Sequence, residues 1–240
     1  MTAPAAAAGA PVLFLHADAE AWVRAAVADI AAGLQRALDA HGEAKLLLSG
    51  GSTPAPVHRA LAREPLAWAK ISLGLVDERW LAKDDLASNA RLLRETLLEE
   101  GAPGARFEAM KLPPHHQIED SVREANRHPV AGAVCVLGMG EDGHTASLFP
   151  GIPDLPRALA AREDYVAIDA SAAPVAQPWP RRISLTPAGL ARTATRVLLL
   201  RGARKREVLV RALEGDDVSA LPVRAAFGLP GEPLRIHWAP

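Results

Sequence analysis

The chain has 240 residues, of which 49% are hydrophobic and 23% are charged, so it can bury a sizeable core and is neither disordered nor fibrous. Its 27 Lys and Arg residues balance 28 Asp and Glu residues, and the formal net charge is -1. This balance removes the general attraction that a nucleic-acid or anionic-membrane binder carries. We therefore expect no nucleic-acid and no membrane partner, and an anionic ligand needs a local cluster of basic residues.

The cysteine content and the N-terminus favour the cytoplasm. The single cysteine, Cys135, cannot form an intrachain disulfide, and we expect it to be a small buried hydrophobic side chain. Residues 1–11 lack a basic start and a long aliphatic core, so we interpret them as a flexible tail. No stretch approaches the roughly 20 apolar residues that span a bilayer. We expect one domain over residues 1–240, as a monomer or a small homo-oligomer.

Short apolar runs alternate with amphipathic segments, which is typical of an α/β fold with a mostly parallel, Rossmann-like open sheet and helices on both faces. The pattern predicts strands over residues 12–15, 45–48, 71–76, 107–111, 133–137, 183–185 and 197–200, and an edge strand over 234–238. Helices are predicted from Asp18 to Gly42, from Pro54 through Leu61, from Ser88 through Glu99, over 118–127, from Pro187, and through 205–213.

A turn rich in glycine and hydroxyl side chains follows the predicted strand 45–48. In open α/β sheets, ligands bind beyond the carboxyl ends of the strands, where this turn lies. Gly50 and Gly51 let the backbone approach a ligand, and Ser52 and Thr53 offer hydroxyl donors ahead of a helix N-terminus. The turn predicts a phosphate site, and an ordinary strand-to-helix turn is the alternative. No Gly-Lys-Ser/Thr follows, which disfavours a nucleoside triphosphatase.

The sequence GMGEDGH at residues 138–144 follows the strongly apolar run 133–137. Its glycines match the G-x-G-x-x-G pattern of dinucleotide-binding proteins. Pro150 and Gly151 follow too soon for the long helix that this motif requires. The sequence therefore does not predict a dinucleotide site.

The same loop presents His144 at the ligand edge of the predicted sheet, with Glu141 and Asp142 beside it. An imidazole that titrates near neutrality is the usual general base for activating water. His144 is therefore the predicted catalytic base, and a structural histidine is the alternative.

Charged residues mark further strand ends and a helix start. Arg79 can hold a phosphate through two hydrogen bonds, and Asp77 can bind a sugar hydroxyl or orient the base. Arg182 and Lys205 can add positive charge. The alternatives are a solvated charged turn and a solvated basic helix face.

The sequence contains no motif that indicates a metal or cofactor site. His115 and His116 lack partners at the spacing of metal ligands, so we predict no metal site. The chain has no G-x-S-x-G and no H-E-x-x-H sequence, which removes the usual anchors of serine hydrolases and zinc proteases. We expect no cofactor.

Four ordered motifs resemble those of the 6-phosphogluconolactonases, which share a fold group with glucosamine-6-phosphate deaminases and ribose-5-phosphate isomerases. They are SGGSTP (49–54), DERW (77–80) followed by Ser88 and Asn89, GMGEDGHTASLFPG (138–151), and RISLT (182–186) with Gly202 and Lys205 downstream. The resemblance covers nearly the whole chain. It implies that His144 activates water, that Arg79 and Lys205 contact the substrate, and that Gly50–Thr53 line its phosphate site. Asn89, Gly140 and Arg182 complete the expected substrate-binding set, with Asp77 as a second catalytic residue.

The resemblance implies hydrolysis of 6-phosphogluconolactone, a sugar-phosphate lactone, in the oxidative pentose phosphate pathway. The alternative is a glucosamine-6-phosphate deaminase or sugar-phosphate isomerase. The deaminases carry an Asn-Glu-Pro element after their histidine, and this chain has Thr145-Ala146-Ser147 there, without an acid. A sugar-phosphate sensor, which needs an attached DNA-reading module, is the least favoured possibility.

Overall fold

A parallel sheet is the centre of the fold. The computed structural model describes residues 9–82, 85–102, 104–110 and 117–240. Within these residues, seven strands pair in one sheet, and each neighbouring pair is parallel. In spatial order they are β1 (Val12–Leu15), β10 (Arg235–Ala239), β9 (Thr195–Arg201), β6 (Val134–Leu137), β2 (Ala44–Leu48), β3 (Ile71–Leu75) and β5 (Arg106–Phe107). The mostly parallel α/β architecture predicted from the sequence is confirmed.

The long first helix shows how local signals set an element's bounds. It is α1 (Ala19–His41), and the Asp18 side chain caps it by accepting a hydrogen bond from Ala21 N at 2.8 Å. Gly42 ends it in the left-handed conformation, with φ +76°, and donates its N–H to Leu38 O. The buried face consists of Trp22, Ala26, Val27, Ile30, Gly33 and Leu34. Both predicted caps are therefore confirmed.

Shorter helices connect the remaining strands. They are α2 (Ala55–Leu61), α3 (Asn89–Leu93) continued by a π-helical turn (Arg94–Leu98), α4 (Ile118–Ala125), α5 (Leu155–Leu159), α6 (Pro187–Arg192) and α7 (Ala203–Leu213). Consecutive residues of β6 and the first six of β9 are buried, which requires cover on both faces of the sheet because alternate side chains point to opposite faces. No helix in the described ranges is long and apolar enough to cross a membrane.

A second, antiparallel sheet lies beside the first and is absent from the sequence prediction. Its strands, in spatial order, are β4 (Asp77–Arg79), β8 (Arg181–Leu185) and β7 (Tyr165–Asp169). Val76 links the sheets, because its N–H donates to Leu48 O and its carbonyl accepts from Leu185 N. The chain therefore passes from β3 straight into β4, which pairs Asp77 with Ser184 and Arg79 with Arg182 of β8.

The C-terminal strand is not an edge strand as predicted. β10 pairs with β1 on one side and β9 on the other, so the edge is formed by β1. The reason is that strand order depends on pairing between chain ends, which a local pattern does not encode. Of the predicted tail, residues 1–8 lie outside the described residues, as does the last residue of the predicted strand 107–111.

Candidate active site

The predicted site residues meet in one cavity. β6, β2 and β3 are neighbours, so the segments after their carboxyl ends lie side by side. The cavity there measures about 250 Å³. Every residue predicted to be catalytic or substrate-binding lines it, namely Gly50, Gly51, Ser52, Thr53, Asp77, Arg79, Asn89, Gly140, His144, Arg182 and Lys205. Ser49, Pro54, Gly138, Met139 and Ala146 complete the lining. The arrangement brings the whole set together, and the individual roles stay predictions.

His144 is oriented by a carboxylate of its own loop. Its Nδ1 lies 2.6 Å from Asp142 Oδ1, and its backbone N–H donates to the same oxygen at 3.2 Å. Because an ionised carboxylate only accepts, Nδ1 carries the proton and Nε2 is left as the basic nitrogen. Nε2 makes no hydrogen bond to any described residue, and the side chain is 26% exposed in the cavity. The pair has the geometry of a general base and its orienting acid.

Asp142 is the orienting acid that sequence reasoning did not identify. Partial burial acts to raise the pKa of its carboxyl, but the hydrogen bonds and charge of His144 outweigh it and lower the pKa below its usual value. Glu141, the other candidate beside the histidine, points to Arg204 and forms an exposed ion pair at 3.5 Å. The sequence alone does not distinguish these two adjacent acids. The tight turn places Asp142, and not Glu141, against His144.

One backbone hydrogen bond and one from a threonine side chain hold the His144 loop in a compact turn. Gly140 N donates to His144 O at 2.9 Å, and Thr145 Oγ1 donates to Gly138 O at 2.8 Å. A Cβ atom at Gly140 would overlap the His144 ring, so only glycine fits there. Ala146 has φ +50°, a left-handed conformation that is strained for alanine. The loop therefore positions the imidazole through its backbone as well as through Asp142.

Phe149 supports two site residues at once and was also missed. Its buried ring lies against the His144 ring, with centroids 4.5 Å apart. The Arg182 guanidinium lies over the same ring, 5.5 Å from its centroid. A phenylalanine in an apolar run carries no signal of this double contact in the sequence.

Asp77 does not orient the histidine; its carboxylate binds other groups. Oδ2 accepts from Ser147 Oγ at 2.5 Å, and Oδ1 accepts from Asn89 Nδ2 at 3.2 Å. Ser147 N in turn donates to Ser184 Oγ at 3.0 Å. Asp77 is buried at the cavity wall, and contact with a ligand hydroxyl, the other role predicted for it, stays a prediction.

The Glu78 carboxylate holds the backbone of the cavity wall that contains Arg79 and Asn89. This fully buried carboxylate accepts from the backbone N–H groups of Arg79, Asn89 and Ala90, at 2.7 to 2.9 Å, and from Ser88 Oγ at 2.8 Å. It thereby joins β4 to the start of α3. This contact fixes Arg79 and Asn89, which both line the cavity. The sequence Asp77-Glu78-Arg79 alone does not indicate that Glu78 is fully buried.

The cations of the cavity are partly held by carbonyl oxygens. Arg182 donates from Nε to Trp179 O at 2.5 Å and from Nη2 to Ala176 O at 3.1 Å. Burial lowers the pKa of Arg182, and the Asp77 carboxylate acts in the opposite direction. Arg79 donates to Ala87 O at 2.5 Å. Both guanidiniums are oriented before a ligand arrives, which lowers the cost of binding one.

Lys205 faces the glycine-rich turn from the start of α7. Its Nζ lies 3.4 Å from Thr53 Oγ1. Burial lowers the pKa of Lys205, and the charge of Glu141 acts in the opposite direction. Gly50 is required on the other side of this turn, because a Cβ atom there would overlap the Asn89 side chain. The turn and the ammonium together form one wall of the cavity, called here the anion-binding wall because an anion is the ligand predicted for it.

No metal site is evident in the described ranges. Among residues 9–82, 85–102, 104–110 and 117–240, no group of three or more His, Cys, Asp or Glu side chains is arranged to hold a metal ion. His115 and His116 lie outside the described residues.

Known proteins resemble this chain along almost its whole length. A family model described as glucosamine-6-phosphate isomerases/6-phosphogluconolactonase matches residues 17–238. A 6-phosphogluconolactonase of Xylella fastidiosa is 46% identical over 229 residues, covering 94% of this chain and 95% of its own. One from Pseudomonas aeruginosa is 38% identical over 221 residues, covering 90% of each chain. The chain therefore belongs to the glucosamine-6-phosphate isomerase/6-phosphogluconolactonase family, and the resemblance drawn from its motifs is confirmed.

Solved structures agree with this assignment. The crystal structure of a 6-phosphogluconolactonase from Shewanella baltica superposes with a TM-score of 0.88 at 34% identity, covering 98% of this chain and 100% of the other. A monomeric glucosamine-6-phosphate deaminase superposes with a TM-score of 0.74 at 18% identity, covering 95% of this chain and 96% of its own, which shows a shared fold alone.

Proposed function

We propose that this protein hydrolyses 6-phospho-D-glucono-1,5-lactone to 6-phosphogluconate in the oxidative pentose phosphate pathway. The observation that carries the proposal is the Asp142–His144 pair, whose free Nε2 lies in a cavity lined by Arg79, Arg182 and Lys205. An acid–base pair beside cations suits an ester that carries a phosphate. The relatives named above, at 46% and 38% identity, are 6-phosphogluconolactonases.

In the proposed mechanism, His144 acts as the only proton carrier. Nε2 removes a proton from a water molecule while the water oxygen attacks the C1 carbonyl carbon of the lactone. The tetrahedral intermediate then collapses with cleavage of the bond between C1 and the ring oxygen. His144 returns its proton to that ring oxygen, which becomes a hydroxyl group. Asp142 holds the imidazole in the required tautomer and stabilises the imidazolium form between the two proton transfers.

The phosphate group anchors the far end of the substrate in this proposal. The turn Gly50–Thr53 offers backbone and hydroxyl donors, and Lys205 lies against Thr53. Binding energy from the phosphate then positions the carbonyl carbon at His144. Asp77 and Asn89, joined by a hydrogen bond, are placed to bind sugar hydroxyl groups.

Organisation and location are further parts of the proposal. We propose one domain over residues 1–240, and the pairing of β1 with β10 supports it because residues 12–15 and 235–239 enter one sheet. A cytoplasmic location and a monomer or small homo-oligomer, without nucleic-acid or membrane partners, are the corresponding proposals from composition.

The test is a substrate comparison. Freshly generated 6-phosphogluconolactone, the unphosphorylated gluconolactone and glucosamine 6-phosphate are supplied separately, and the spontaneous rate of lactone opening is subtracted. We expect fast hydrolysis of the phosphorylated lactone, weak hydrolysis of the unphosphorylated one and no ammonia from glucosamine 6-phosphate. Ammonia release without lactone hydrolysis would replace the proposal by a deaminase.

A further inference from the structure

Ser49 carries an unpaired polar atom at the candidate active site. The residue is 6% exposed, and its Oγ is buried without a hydrogen bond to any described residue. Within the described part of the chain, the other buried side-chain atoms without a hydrogen bond belong to His58, Arg196 and Glu108, and the Glu108 atom is ion-paired with Lys45 at 2.6 Å. None of those three residues lines the cavity, whereas Ser49 does. Ser49 therefore combines an unpaired buried hydroxyl with a place in the cavity lining.

The backbone places Ser49 between the two loops that build the site. Its N–H donates to Val136 O at 3.1 Å, which ties the end of β2 to β6. Gly50 and the phosphate turn follow it directly. Its Oγ faces Gly138, since a Cβ atom on that glycine would lie 3.7 Å from it. Gly138 opens the loop that carries His144, so the hydroxyl lies at the junction of the anion-binding wall and the acid–base pair.

An unpaired buried hydroxyl destabilises a folded protein, because its hydrogen bonds to water are lost and not replaced. Alanine would fill nearly the same space without a polar atom. Rotation about the single χ1 bond redirects the hydroxyl, so it needs no backbone movement to meet a ligand. These observations favour a partner that is supplied only when the cavity is filled.

We propose that Ser49 Oγ donates a hydrogen bond to an oxygen atom of the bound sugar phosphate, as a further substrate-binding residue. The identity of that substrate rests on the proposed function. The donor lies on the floor of the cavity, between the groups that hold the phosphate and the base that activates water. Binding then satisfies a group that the free enzyme leaves unsatisfied.

The test combines kinetics and thermal unfolding of Ser49→Ala in the full-length protein. We expect kcat/KM for 6-phosphogluconolactone to fall about tenfold to a hundredfold, because the substrate loses a buried hydrogen bond. We expect Tm to be unchanged or raised by about 2–4 °C, because the folded protein loses an unsatisfied group and no contact. Ser49→Cys, which keeps the shape and a weak donor, is expected to have an intermediate kcat/KM.

Thr193→Val is the matched control. The Thr193 hydroxyl is buried and paired, since Oγ1 donates to Leu190 O at 2.7 Å, and it lies before the opposite end of β9, outside the cavity lining. We expect Thr193→Val to lower Tm by about 2–4 °C and to leave kcat/KM unchanged. Ser49→Ala is therefore expected to lower kcat/KM without lowering Tm, whereas Thr193→Val is expected to lower Tm without changing kcat/KM.

Either of two results would overturn the inference: a kcat/KM of Ser49→Ala within twofold of wild type, or a fall in its Tm, which would mean that the hydroxyl has a partner in the free protein. The failure of the proposed function is separable from both. If the wild type does not exceed the spontaneous rate, the Tm increase produced by 6-phosphogluconate and by glucosamine 6-phosphate is measured instead. The inference stands if Ser49→Ala reduces either increase, and equal increases in the two proteins overturn it.

Discussion

The molecule contains two aspartate–histidine pairs with nearly the same hydrogen bond and different surroundings. Asp142 binds His144 Nδ1 at 2.6 Å, and Asp29 binds His237 Nε2 at 2.8 Å. In the first pair, the second ring nitrogen is free and lies at the cavity. In the second pair, that nitrogen lies 3.1 Å from His16 Nε2, and the imidazole is buried.

The surroundings of the carboxylates differ as well. Asp29 also forms a two-bond ion pair with Arg235, at 2.5 and 2.9 Å, whereas Asp142 hydrogen-bonds only within its own loop among the described residues. The Phe14 ring stacks on His237, with centroids 5.0 Å apart. A hydrogen bond between aspartate and histidine is therefore not a sign of catalysis. What distinguishes the Asp142–His144 pair is a free ring nitrogen at a cavity, which is what the proposed role of His144 as a base requires.

Asp142→Asn is expected to have the largest effect on activity. We expect Asp142→Asn to lower kcat about 10²- to 10⁴-fold with KM nearly unchanged, because the amide no longer fixes the imidazole tautomer or stabilises its charged form. Steady-state kinetics above the spontaneous rate measure this effect. A kcat within tenfold of wild type would show that the carboxylate does not serve His144.

The corresponding change in the other pair acts on stability. Asp29→Asn leaves Arg235 and His237 without their carboxylate, and we expect the free energy of unfolding to fall by about 2 kcal/mol. Urea denaturation measures the loss, and kcat/KM should stay within about twofold of wild type. Asp39→Asn on the exposed face of the same helix is the control, with an expected change under about 0.5 kcal/mol. A large loss of activity in Asp29→Asn would remove the distinction between the pairs.

Lys205, at the anion-binding wall, gives a separate test of how the substrate is held. We expect Lys205→Met to raise KM for the phosphorylated lactone about tenfold, because a partly buried cation beside Thr53 is lost. The unphosphorylated lactone serves as the control substrate, since its KM should change much less. An equal increase for both substrates would mean that Lys205 contacts the sugar ring and not the phosphate.

The smallest expected effect is a pH dependence of stability. Burial lowers the pKa of His237, and its hydrogen bond to Asp29 and the Asp29 charge act in the opposite direction, while the charges of His16 and Arg235 lower the pKa further. A histidine with a lowered folded-state pKa binds its proton more readily when unfolded. Stability is then lost as the pH falls below about 6.5, the ordinary pKa of the unfolded side chain.

We expect Tm to fall less steeply between about pH 7 and pH 5 in His237→Gln than in the wild type. Burial also lowers the pKa of His58, to about 4, and that residue contributes to the slope in both proteins. The difference between the two slopes is therefore the informative quantity. Identical slopes would contradict the assignment of a buried, neutral His237.

Sequence reasoning selected residues that line one cavity because the strand-end rule applies locally. Gly50, Asp77 and Gly140 each follow a strand of one parallel sheet, and parallel strands place such segments at a common edge. Asp18 and Gly42 likewise carry their structural meaning in their own chemistry. Features of this kind can be predicted without knowing which distant residues come into contact.

Features that depend on long-range packing could not be predicted. The edge position expected for residues 234–238 was wrong because β10 inserts between β1 and β9. The three-stranded sheet was missed because β4 is made of charged residues that resemble a turn, and the buried Glu78 carboxylate accepts hydrogen bonds from β4 and from the start of α3, which lie apart in sequence. The choice of Asp142 over Glu141 depends on the turn that brings His144 back to Gly140.

The proposed role of His144 as the base of a lactone hydrolase is tested most directly by NMR. Opening of 6-phosphogluconolactone is followed by the ¹³C signal of C1 with wild type, with His144→Gln and without enzyme. We expect His144→Gln to be about 10²- to 10⁴-fold slower than wild type while 6-phosphogluconate raises the Tm of both proteins equally. A His144→Gln rate above about a tenth of the wild-type rate would contradict the account.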